Sequence, residues 1–360
     1  MSKTKTKSKS PILFVLAAFA IIVALMVIAN SREKLLKLLE PSPGGVESLY
    51  TSGNQLAVIS GEQEIFIWDW NQLDSLPIKA KVNASKLHYL PPDSLIWASV
   101  NSPETVIISN LKSGEVNKRL SLGTGVICKF MNRSANGKFI VFATDQNSKS
   151  NQASGAVRFS IFDPAFDDRI STIFTIDLEK DKSAINEIAV TDEGDRLVIV
   201  GTKNEKGWVG AVDVNDKKLL WQREFETTEI REVVFSPDGR SLYCGGAGRV
   251  LYQLETETGK TRHEYQMEKA EFDNKKQYIA CITVTDNGKY IAACTGPSNL
   301  IYIWDAKTNE LIEKIGAGEK TTQGGVVINT LAFSPENDMI AAGDITAIRQ
   351  IKIFKSSKTK

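Results

Sequence analysis

The chain has few of the residues from which catalytic and metal sites are built. Its 360 residues include two histidines, His88 and His263, and four cysteines without any Cys-x-x-Cys spacing. Neither histidine has partners at the spacing of a hydrolase triad or a zinc site, so each is interpreted as a structural or surface residue. No Walker-type phosphate loop and no Gly-x-Ser-x-Gly motif occurs. We therefore expect no enzyme activity, no metal and no cofactor.

The sequence also lacks an excess of positive charge. It holds 44 Lys and Arg against 43 Asp and Glu, and four of the lysines lie in the first ten residues. The chain beyond residue 30 is therefore weakly acidic, with 40 basic against 43 acidic residues. Because nucleic-acid-binding proteins present a basic surface, no nucleic-acid partner is predicted.

The four cysteines all lie within predicted strands, at Cys128, Cys244, Cys281 and Cys294. A buried cysteine behaves as a small apolar residue. An even number of cysteines would permit disulfide bonds in an oxidising compartment. Cys244 and Cys294 occupy nearly equivalent positions in successive repeats, which favours core packing over a bridge.

What the chain does contain is a repeat, and its first landmark is a polar turn of the Ser-Pro-Asp-Gly type. In such turns proline presets φ, Asp or Asn hydrogen-bonds its own backbone, and glycine adopts a positive φ. Their last residues lie about 43 to 57 positions apart. The copies are Pro91–Ser94, Ser134–Gly137, Thr191–Gly194, Ser236–Gly239, Thr285–Gly288 and Ser334–Asn337.

The second landmark is an apolar run that ends in a polar residue, clearest at Trp68-Asp69 and Trp304-Asp305. The other copies end at Asn110, Asp163, Asp213, Glu255 and Lys355. Seven copies follow one another at about 41 to 53 residues, the interval expected for four short strands per propeller blade. Because one blade cannot bury both its faces, the repeat predicts an all-β fold, a seven-bladed β-propeller over residues 46–356.

The segments Phe235–Gly239 and Phe333–Asn337, with the two Trp-Asp pairs, resemble the WD-repeat propeller family over roughly residues 46–355. The Gly-His pair of that family is absent, so its buried histidine network is not carried over. One repeat, Ala211–Asp213 followed by Leu220-Trp221, resembles the blade motif of quinoprotein-like propellers, with Lys217 in the glycine position. Residues that the resemblance makes structural are Trp68, Asp69, Asp163, Asp213, Pro237, Asp238, Gly239, Gly288, Trp304, Asp305 and Pro335.

The number of strands poses a problem at the two ends of the ring. The first repeat shows four strands, whereas the last shows three, ending at Phe354. A fourth strand for the last blade must come from before Val46 or not exist. The upstream segment Ser31–Glu40 has a helical pattern, and the proline-rich stretch Pro41–Gly45 follows it. Either the last blade is short, or the first has one strand fewer than counted.

An unbroken apolar run from Ile12 to Ile28, extended by Ala29, follows the lysine-rich start. Its length suffices for a helix to cross hydrocarbon. We predict a basic tail at residues 1–11, a transmembrane helix at 12–29, and a helical stalk and linker at 30–45. A cleaved signal peptide is the alternative, but its apolar core would be shorter. Membrane-spanning residues would include Ile12, Phe14, Leu16, Phe19, Ile22, Leu25 and Ile28.

Positive charge flanks both sides of this run. Four lysines precede it, and Arg32, Lys34 and Lys37 follow it. The positive-inside rule therefore gives only a small bias toward a cytoplasmic N-terminus. We predict a single-pass membrane protein whose propeller lies on the exoplasmic side, which in a bacterium is the periplasm; the cytoplasmic side remains the alternative. The lipid bilayer is thus one predicted partner.

The resemblance implies a scaffold that binds a protein or peptide, since propellers of this family mostly act as platforms. With the predicted transmembrane helix, this gives a non-enzymatic, membrane-anchored scaffold. The loops Asp145–Ser154 and Gly316–Gly325 are candidate contacts, because functional residues gather on the loops of rigid scaffolds. A solvated linker is the alternative for each. A quinoprotein- or hydrolase-like enzyme and an envelope assembly or secretion subunit are the alternative functions. Possible partner-binding residues are Gln146, Lys149, Lys320 and Gln323.

Overall fold

The computed structural model describes residues 35–39, 45–90, 92–145, 155–163, 170–178, 180, 182–268, 277–296, 298–316, 327–344 and 351–356. The predicted transmembrane segment at 12–29 lies outside these ranges. So do the predicted partner residues Gln146, Lys149, Lys320 and Gln323. No helix within the described ranges is long and apolar enough to cross a membrane.

Seven four-stranded antiparallel sheets make up the described part of the chain, and each sheet is one blade. The strand β1 (Leu35–Leu39) comes first in the chain and belongs to blade 7. Blade 1 holds β2 (Val46–Ser52), β3 (Gln55–Ser60), β4 (Glu64–Asp69) and β5 (Ile78–Lys81). Blade 2 holds β6 (Ala84–Leu90), β7 (Ser94–Ser99), β8 (Thr105–Asn110) and β9 (Val116–Ser121). Blade 3 holds β10 (Ile127–Arg133), β11 (Ile140–Asp145), β12 (Ala156–Phe162) and β13 (Ser171–Asp177).

The remaining blades follow the same order. Blade 4 holds β14 (Ser183–Val190), β15 (Arg196–Lys203), β16 (Lys206–Asp213) and β17 (Lys218–Phe225). Blade 5 holds β18 (Ile230–Phe235), β19 (Ser241–Gly246), β20 (Val250–Glu255) and β21 (Thr261–Gln266). Blade 6 holds β22 (Tyr278–Val284), β23 (Tyr290–Gly296), β24 (Leu300–Asp305) and β25 (Leu311–Gly316). Blade 7 holds β26 (Ile328–Phe333), β27 (Met339–Asp344) and β28 (Ile351–Lys355), with β1 as its fourth strand.

The blades are arranged as a closed ring. The first strand of each blade is its inner strand, and these strands surround a common axis. Apolar side chains fill the space between every two neighbouring blades, in seven separate clusters. One of them joins blade 7 to blade 1 through Leu39, Val46 and Ile351. The predicted all-β, seven-bladed propeller is confirmed.

The ring is closed by a strand from the N-terminal side, and here one prediction is wrong. The segment Ser31–Glu40 was expected to be helical, but Leu35–Leu39 forms β1 and pairs with β28 along an antiparallel ladder. Leu39 lies opposite Ile351 and is buried. Helical propensity is a weak preference, and pairing with the otherwise open edge of β28 outweighs it. The missing fourth strand of blade 7 is therefore supplied by residues before Val46.

The two faces of the ring carry different connections. The turn face holds the turns between first and second strands, such as Ser236–Gly239, and those between third and fourth strands, such as Asp305–Glu310. The loop face holds the connections between second and third strands and those from one blade to the next. Because β1 is a fourth strand, the chain enters it at the turn face and leaves it at the loop face.

Candidate functional site

A channel of about 770 Å³ follows the axis of the propeller, and it is lined by residues of all seven inner strands. Sites on rigid rings of repeats are commonly found at such an axial opening. A second cavity of about 290 Å³ lies on the turn face between blades 4 and 5. Two of its arginines are paired with glutamates of the same cavity, Arg196 Nε with Glu257 Oε1 at 2.8 Å and Arg262 Nη2 with Glu255 Oε1 at 3.1 Å. The channel is therefore the stronger candidate site.

Every inner strand has a β-bulge at the same place, which brings the seven strands into one common register. The bulged residues are Glu47, Ser85, Lys129, Asn186, Arg231, Ala280 and Asn329. A bulge re-aims the side chains that follow it. The next residue of each strand lines the channel, and these seven side chains are called the upper ring: Ser48, Lys86, Phe130, Glu187, Glu232, Cys281 and Thr330.

Two carboxylates stand next to each other in the upper ring, on the neighbouring strands β14 and β18. Burial raises the pKa of Glu187 to about 7, against the lowering effect of the Ile188 amide, Asn132 and Lys86. Burial also raises the pKa of Glu232 well above its usual range, and the charge of Glu187 raises it further. Both residues are half-buried and keep contact with the open channel.

Their hydrogen-bond partners are few and uncharged. The Glu187 Oε1 atom accepts from the Ile188 amide at 2.8 Å and from Asn132 Nδ2 at 3.2 Å. Within the described residues, Glu232 has neither a hydrogen bond nor an ion pair. The adjacent Arg231 donates instead to Glu229, with 2.7 Å between Nε and Oε1, and its guanidinium lies over the Tyr278 ring.

Nearer the turn face the channel contains a half-buried hydrogen-bond chain. The Nε2 atom of His88 lies 2.6 Å from the Met131 carbonyl oxygen, which can only accept, so Nε2 carries the proton. Nδ1 then accepts from the Tyr50 hydroxyl at 2.8 Å. Burial, with a further contribution from the charge of Arg133, lowers the pKa of His88 to about 4. His88 is therefore neutral at physiological pH and has a structural role, as its sequence context indicates.

The predicted repeat residues lie at the turn face, away from the channel carboxylates. Gly239 and Gly288 each have a φ of 68° and close turns between first and second strands, where Pro237, Asp238 and Pro335 also lie. The backbone N–H of the residue that begins the second strand donates to the side-chain hydroxyl of the residue that begins the turn. For example, Ser241 N donates to Ser236 Oγ at 2.9 Å. This hydrogen bond recurs at Ser134, Thr191, Thr285 and Ser334.

The predicted Trp-Asp residues lie where third strands end. Trp68 and Trp304 are buried in the clusters between blades. The Asp305 Oδ1 atom accepts from the amides of Lys307 and Thr308, at 2.8 and 2.9 Å, and so holds the turn into the fourth strand. Equivalent carboxylate-to-amide bonds are made by Asp69 and Asp213, and Asp163 follows β12 at the corresponding place.

The strand ends that flank both predicted partner loops lie on the loop face. Asp145 ends β11 before residues 146–154, and Gly316 ends β25 before residues 317–326. The loops themselves lie outside the described residues.

The channel carboxylates were not predicted from the sequence, although one signal was present. Glu187 and Glu232 each stand two residues after the isoleucine that begins the buried part of an inner strand.

The remaining sequence candidates are placed in the core. All four cysteines are buried and free, and Cys281 lies opposite Cys294 in the ladder between β22 and β23. Burial raises the pKa of Cys128 and of Cys244 to about 12. Among the described residues, no group of His, Cys, Asp and Glu side chains is arranged to hold a metal ion.

Comparison with known proteins agrees with this architecture. A family model described as outer membrane protein assembly factor BamB matches residues 205–287. A putative BTB/POZ domain and WD-repeat protein of Acanthamoeba polyphaga mimivirus is 24% identical over 148 residues, which are 39% of this chain and 26% of that protein. This chain thus matches about a quarter of that relative's length.

The fold comparison extends over most of the ring. The crystal structure of the Myceliophteria thermophila Cps50 (Swd1) β-propeller domain is similar with a TM-score of 0.65 and 14% sequence identity, over 89% of this chain and 100% of that one. The quinoprotein-like segment Ala211–Trp221 lies within the residues matched by the family model. By its fold, this chain is a WD-repeat-like β-propeller.

Proposed function

We propose that this protein is a non-enzymatic, membrane-anchored scaffold whose propeller binds a protein or peptide at the loop face. The observation that carries this proposal is the direction of β1. Because β1 starts at the turn face, whatever precedes Leu35 joins the ring there. Only residues 30–34 separate the apolar run from β1, and five residues span at most about 18 Å. An anchoring helix at 12–29 holds the turn face toward the bilayer and leaves the loop face free.

The distribution of exposed apolar side chains supports this orientation. Among the described residues, the large apolar side chains that are most exposed include Leu76, with 95% of its surface accessible. Leu76 lies between β4 and β5 on the turn face, two residues from Asp74, which pairs with Lys37 of the closing strand. Ile78, Val116 and Leu311 begin fourth strands at the same face and are also exposed, whereas one such residue, Val100, lies in the β7–β8 connection on the loop face. An apolar rim of this kind fits a membrane-facing surface.

The orientation is tested with tryptophan fluorescence of the full-length protein in lipid vesicles. A Leu76→Trp variant is compared with Ser102→Trp, in which the new residue lies in the exposed β7–β8 connection on the loop face. Lipids with brominated acyl chains quench tryptophan fluorescence. We expect the quenching, measured relative to the parent protein, to be stronger for the Leu76→Trp variant than for the Ser102→Trp variant. Equal quenching of the two sites, or stronger quenching at residue 102, contradicts a turn face held at the bilayer.

Partner binding is tested with photo-crosslinking in cells that express the full chain. A photoreactive residue is placed at Ser102 on the loop face or, as the matched control, at Lys112 in the exposed turn between β8 and β9. We expect a discrete crosslinked protein from Ser102 and not from Lys112.

Protease treatment of intact cells carrying a tag after Lys360 then shows which side of the membrane holds the propeller. Cleavage of the tag supports the exoplasmic side, whereas protection contradicts it.

A role as an envelope assembly subunit is the second candidate. The match of residues 205–287 to a family model described as an outer membrane assembly factor favours it. It differs from the first candidate in the identity of the partner. Crosslinked material that contains outer-membrane assembly components selects the assembly role, and unrelated partners select the more general scaffold.

A further inference from the structure

We propose that Cys281 and Cys294 form a disulfide bond when the chain folds in contact with a disulfide oxidant, before blade 7 covers them. The two residues lie in blade 6, on the neighbouring strands β22 and β23. The inference goes beyond the proposed scaffold function, since it concerns a covalent bond within the propeller. The described structure, in which all four cysteines are free, is then the reduced form of the protein.

The first argument is the pairing of the two strands. Cys281 and Cys294 are opposite each other in the antiparallel ladder of β22 and β23. The α-carbons of opposite residues are about 4.5 or 5.5 Å apart, depending on the hydrogen-bond pattern. Both values lie within the range of about 4.4 to 6.8 Å that disulfide bonds require. The backbone therefore needs no large movement to bring the two sulfur atoms into bonding distance.

The second argument is that both side chains lie on the same face of the blade. Cys281 and Cys294 belong to the apolar cluster between blades 6 and 7, with Ala292 on the same side of β23. The alternate residues Ile291 and Ala293 belong instead to the cluster between blades 5 and 6. Burial raises the pKa of the Cys281 thiol well above its usual range, and the nearby Cys294 thiol raises it further. The two thiols are therefore neighbours across the ladder.

Among the described residues, the other two cysteines have no cysteine opposite them. Cys244 lies opposite Val233 in β18 and opposite Tyr252 in β20, and Cys128 lies opposite Thr144. Four cysteines can be joined in several ways, but the register of the strands selects one pair. Cys128 and Cys244 are therefore expected to remain thiols.

The bond forms by thiol–disulfide exchange with an external oxidant, such as glutathione disulfide or the disulfide of an oxidoreductase. The thiolate of one cysteine attacks the oxidant and displaces one of its sulfur atoms as a thiol, which leaves a mixed disulfide. The thiolate of the second cysteine attacks the protein sulfur of that mixed disulfide, and the second thiol leaves. The cysteines thus lose two electrons and two protons, and the oxidant is reduced to two thiols. The exoplasmic side, where the propeller is proposed to lie, is an oxidising compartment that supplies such a molecule.

Blade 7 covers the pair in the complete ring. Cys281 is 3% exposed and Cys294 is 0% exposed, and Ile328 and Phe354 of blade 7 pack in the same cluster. Burial disfavours the thiolate, which is the form that attacks a disulfide. In the finished propeller the two thiols are therefore poorly reactive, and a bond already formed between them is protected from reductants.

The order of synthesis leaves time for the reaction. Only 12 residues separate the two cysteines, whereas the last residue of the covering cluster, Phe354, follows Cys294 by 60 positions. The synthesis of this intervening chain takes about 3 to 12 s. Disulfide formation takes seconds or longer, depending on the oxidant. The bond is therefore expected to form in the incomplete propeller.

The test uses the full-length protein made by cell-free translation in the presence of lipid vesicles. One reaction contains a glutathione redox buffer, and a parallel reaction contains dithiothreitol. Folded chains are selected by the resistance of the propeller to a protease, and are then denatured and alkylated without further reduction. We expect mass spectrometry to count two alkyl groups per propeller from the redox buffer, against all four cysteines alkylated from dithiothreitol.

Digestion with trypsin identifies the bridge, because Lys289 lies between the two cysteines. Cys281 and Cys294 then fall in separate peptides, residues 277–289 and 290–307. These two peptides stay joined only while the disulfide is present. Because this measurement is made on the unaltered chain, it does not depend on the folding of a variant.

Variants and a time course test the pair and the order of events. Cys281→Ala is expected to lose the linked peptides, whereas the control Cys244→Ala, altered at another buried cysteine, is expected to keep them. Reduced and fully folded protein is then placed in the same redox buffer. We expect the linked peptides to appear at least tenfold more slowly than during synthesis, because blade 7 covers both thiols.

Four alkylated thiols in folded protein from the redox buffer, or a bridge that includes Cys128 or Cys244, overturns the inference. Equally fast oxidation of the complete ring overturns the claim that the bond precedes the covering by blade 7. The linked peptides are also sought in protein taken from cells and alkylated at once. If the bond forms in the redox buffer but is absent from cells, the exoplasmic location is wrong while the cysteine pair stands.

Discussion

Replacing Glu187 with glutamine is expected to stabilise the folded propeller, and the gain should depend on pH. Burial raises the pKa of the Glu187 carboxyl to about 7 from its usual 4.5. Below pH 4.5 both the folded and the unfolded chain hold the proton, so the residue costs nothing. As the pH rises from 4.5 to 7 the unfolded chain ionises first, and the free energy of unfolding falls. Glutamine does not titrate and avoids this loss.

The size of the effect follows from the pKa difference. One pKa unit corresponds to about 1.4 kcal/mol, which gives a penalty of at most about 3 kcal/mol above pH 7. Contact of the residue with the open channel reduces the penalty to about 2 kcal/mol, because solvent screens the charge. Ionisation of Glu232 on the neighbouring strand β18 increases the penalty. For a single domain of about 310 residues, with an unfolding entropy of about 2.1 cal/mol/K per residue, 2 kcal/mol corresponds to an increase in Tm of about 3 °C.

The assay is thermal unfolding of the full-length protein in a mild detergent at pH 4.5 and pH 8. We expect the Tm values of Glu187→Gln and of the parent to agree at pH 4.5 and to differ by about 3 °C at pH 8. Glu264→Gln is the matched control and should change neither value. An equal gain at both pH values would refute the titration argument. A loss at pH 8 would show that ionised Glu187 already has a stabilising cation in the native protein.

Three further predictions concern the core and the closure of the ring. Alternate backbone N–H groups of β1 donate to β28, so replacing both Lys37 and Leu38 with proline removes one of these donors in either case. We expect the free energy of unfolding, measured by chemical denaturation, to fall by about 3 kcal/mol or more. The control has threonine at both positions. Gly201→Ala places a Cβ 1.8 Å from the Ala184 carbonyl oxygen, so a loss of about 1 to 3 kcal/mol is expected; a neutral result would contradict the close approach of β14 and β15. The four buried thiols should resist alkylation at pH 8 in the folded protein and react fully in denaturant, as counted by mass spectrometry; rapid labelling of Cys128 or Cys244 would contradict their raised pKa.

The parts of the fold that were predictable from the sequence are those with local causes. The turn at Ser236–Gly239 depends on residues within it, and so does the Asp305 turn, whose carboxylate binds amides two and three residues later. Repetition of such local signals gives the number of blades. Leu35–Leu39 has no such signal, because its strand conformation comes from pairing with Ile351–Phe354 at the other end of the chain.

The candidate site was hidden for a related reason. Glu187 and Glu232 are separated by 45 positions, and neither belongs to a catalytic or metal-binding motif. They become neighbours only when the bulges set all seven inner strands in one register around the axis. A repeat can be recognised from any of its copies, but the side chains that it brings together at the axis depend on closing the ring.

The N-terminal origin of the closing strand has a consequence for biosynthesis. During translation β1 emerges early, but its partner β28 is made only after residues 40–350 have followed. At 5 to 20 residues per second the delay is about 15 to 60 s. For that time the nascent chain holds a row of blades with two unpaired edges, which is the state most exposed to association with other chains. If residues 12–29 enter the bilayer first, they hold one of these edges at the membrane surface while the ribosome delivers the other.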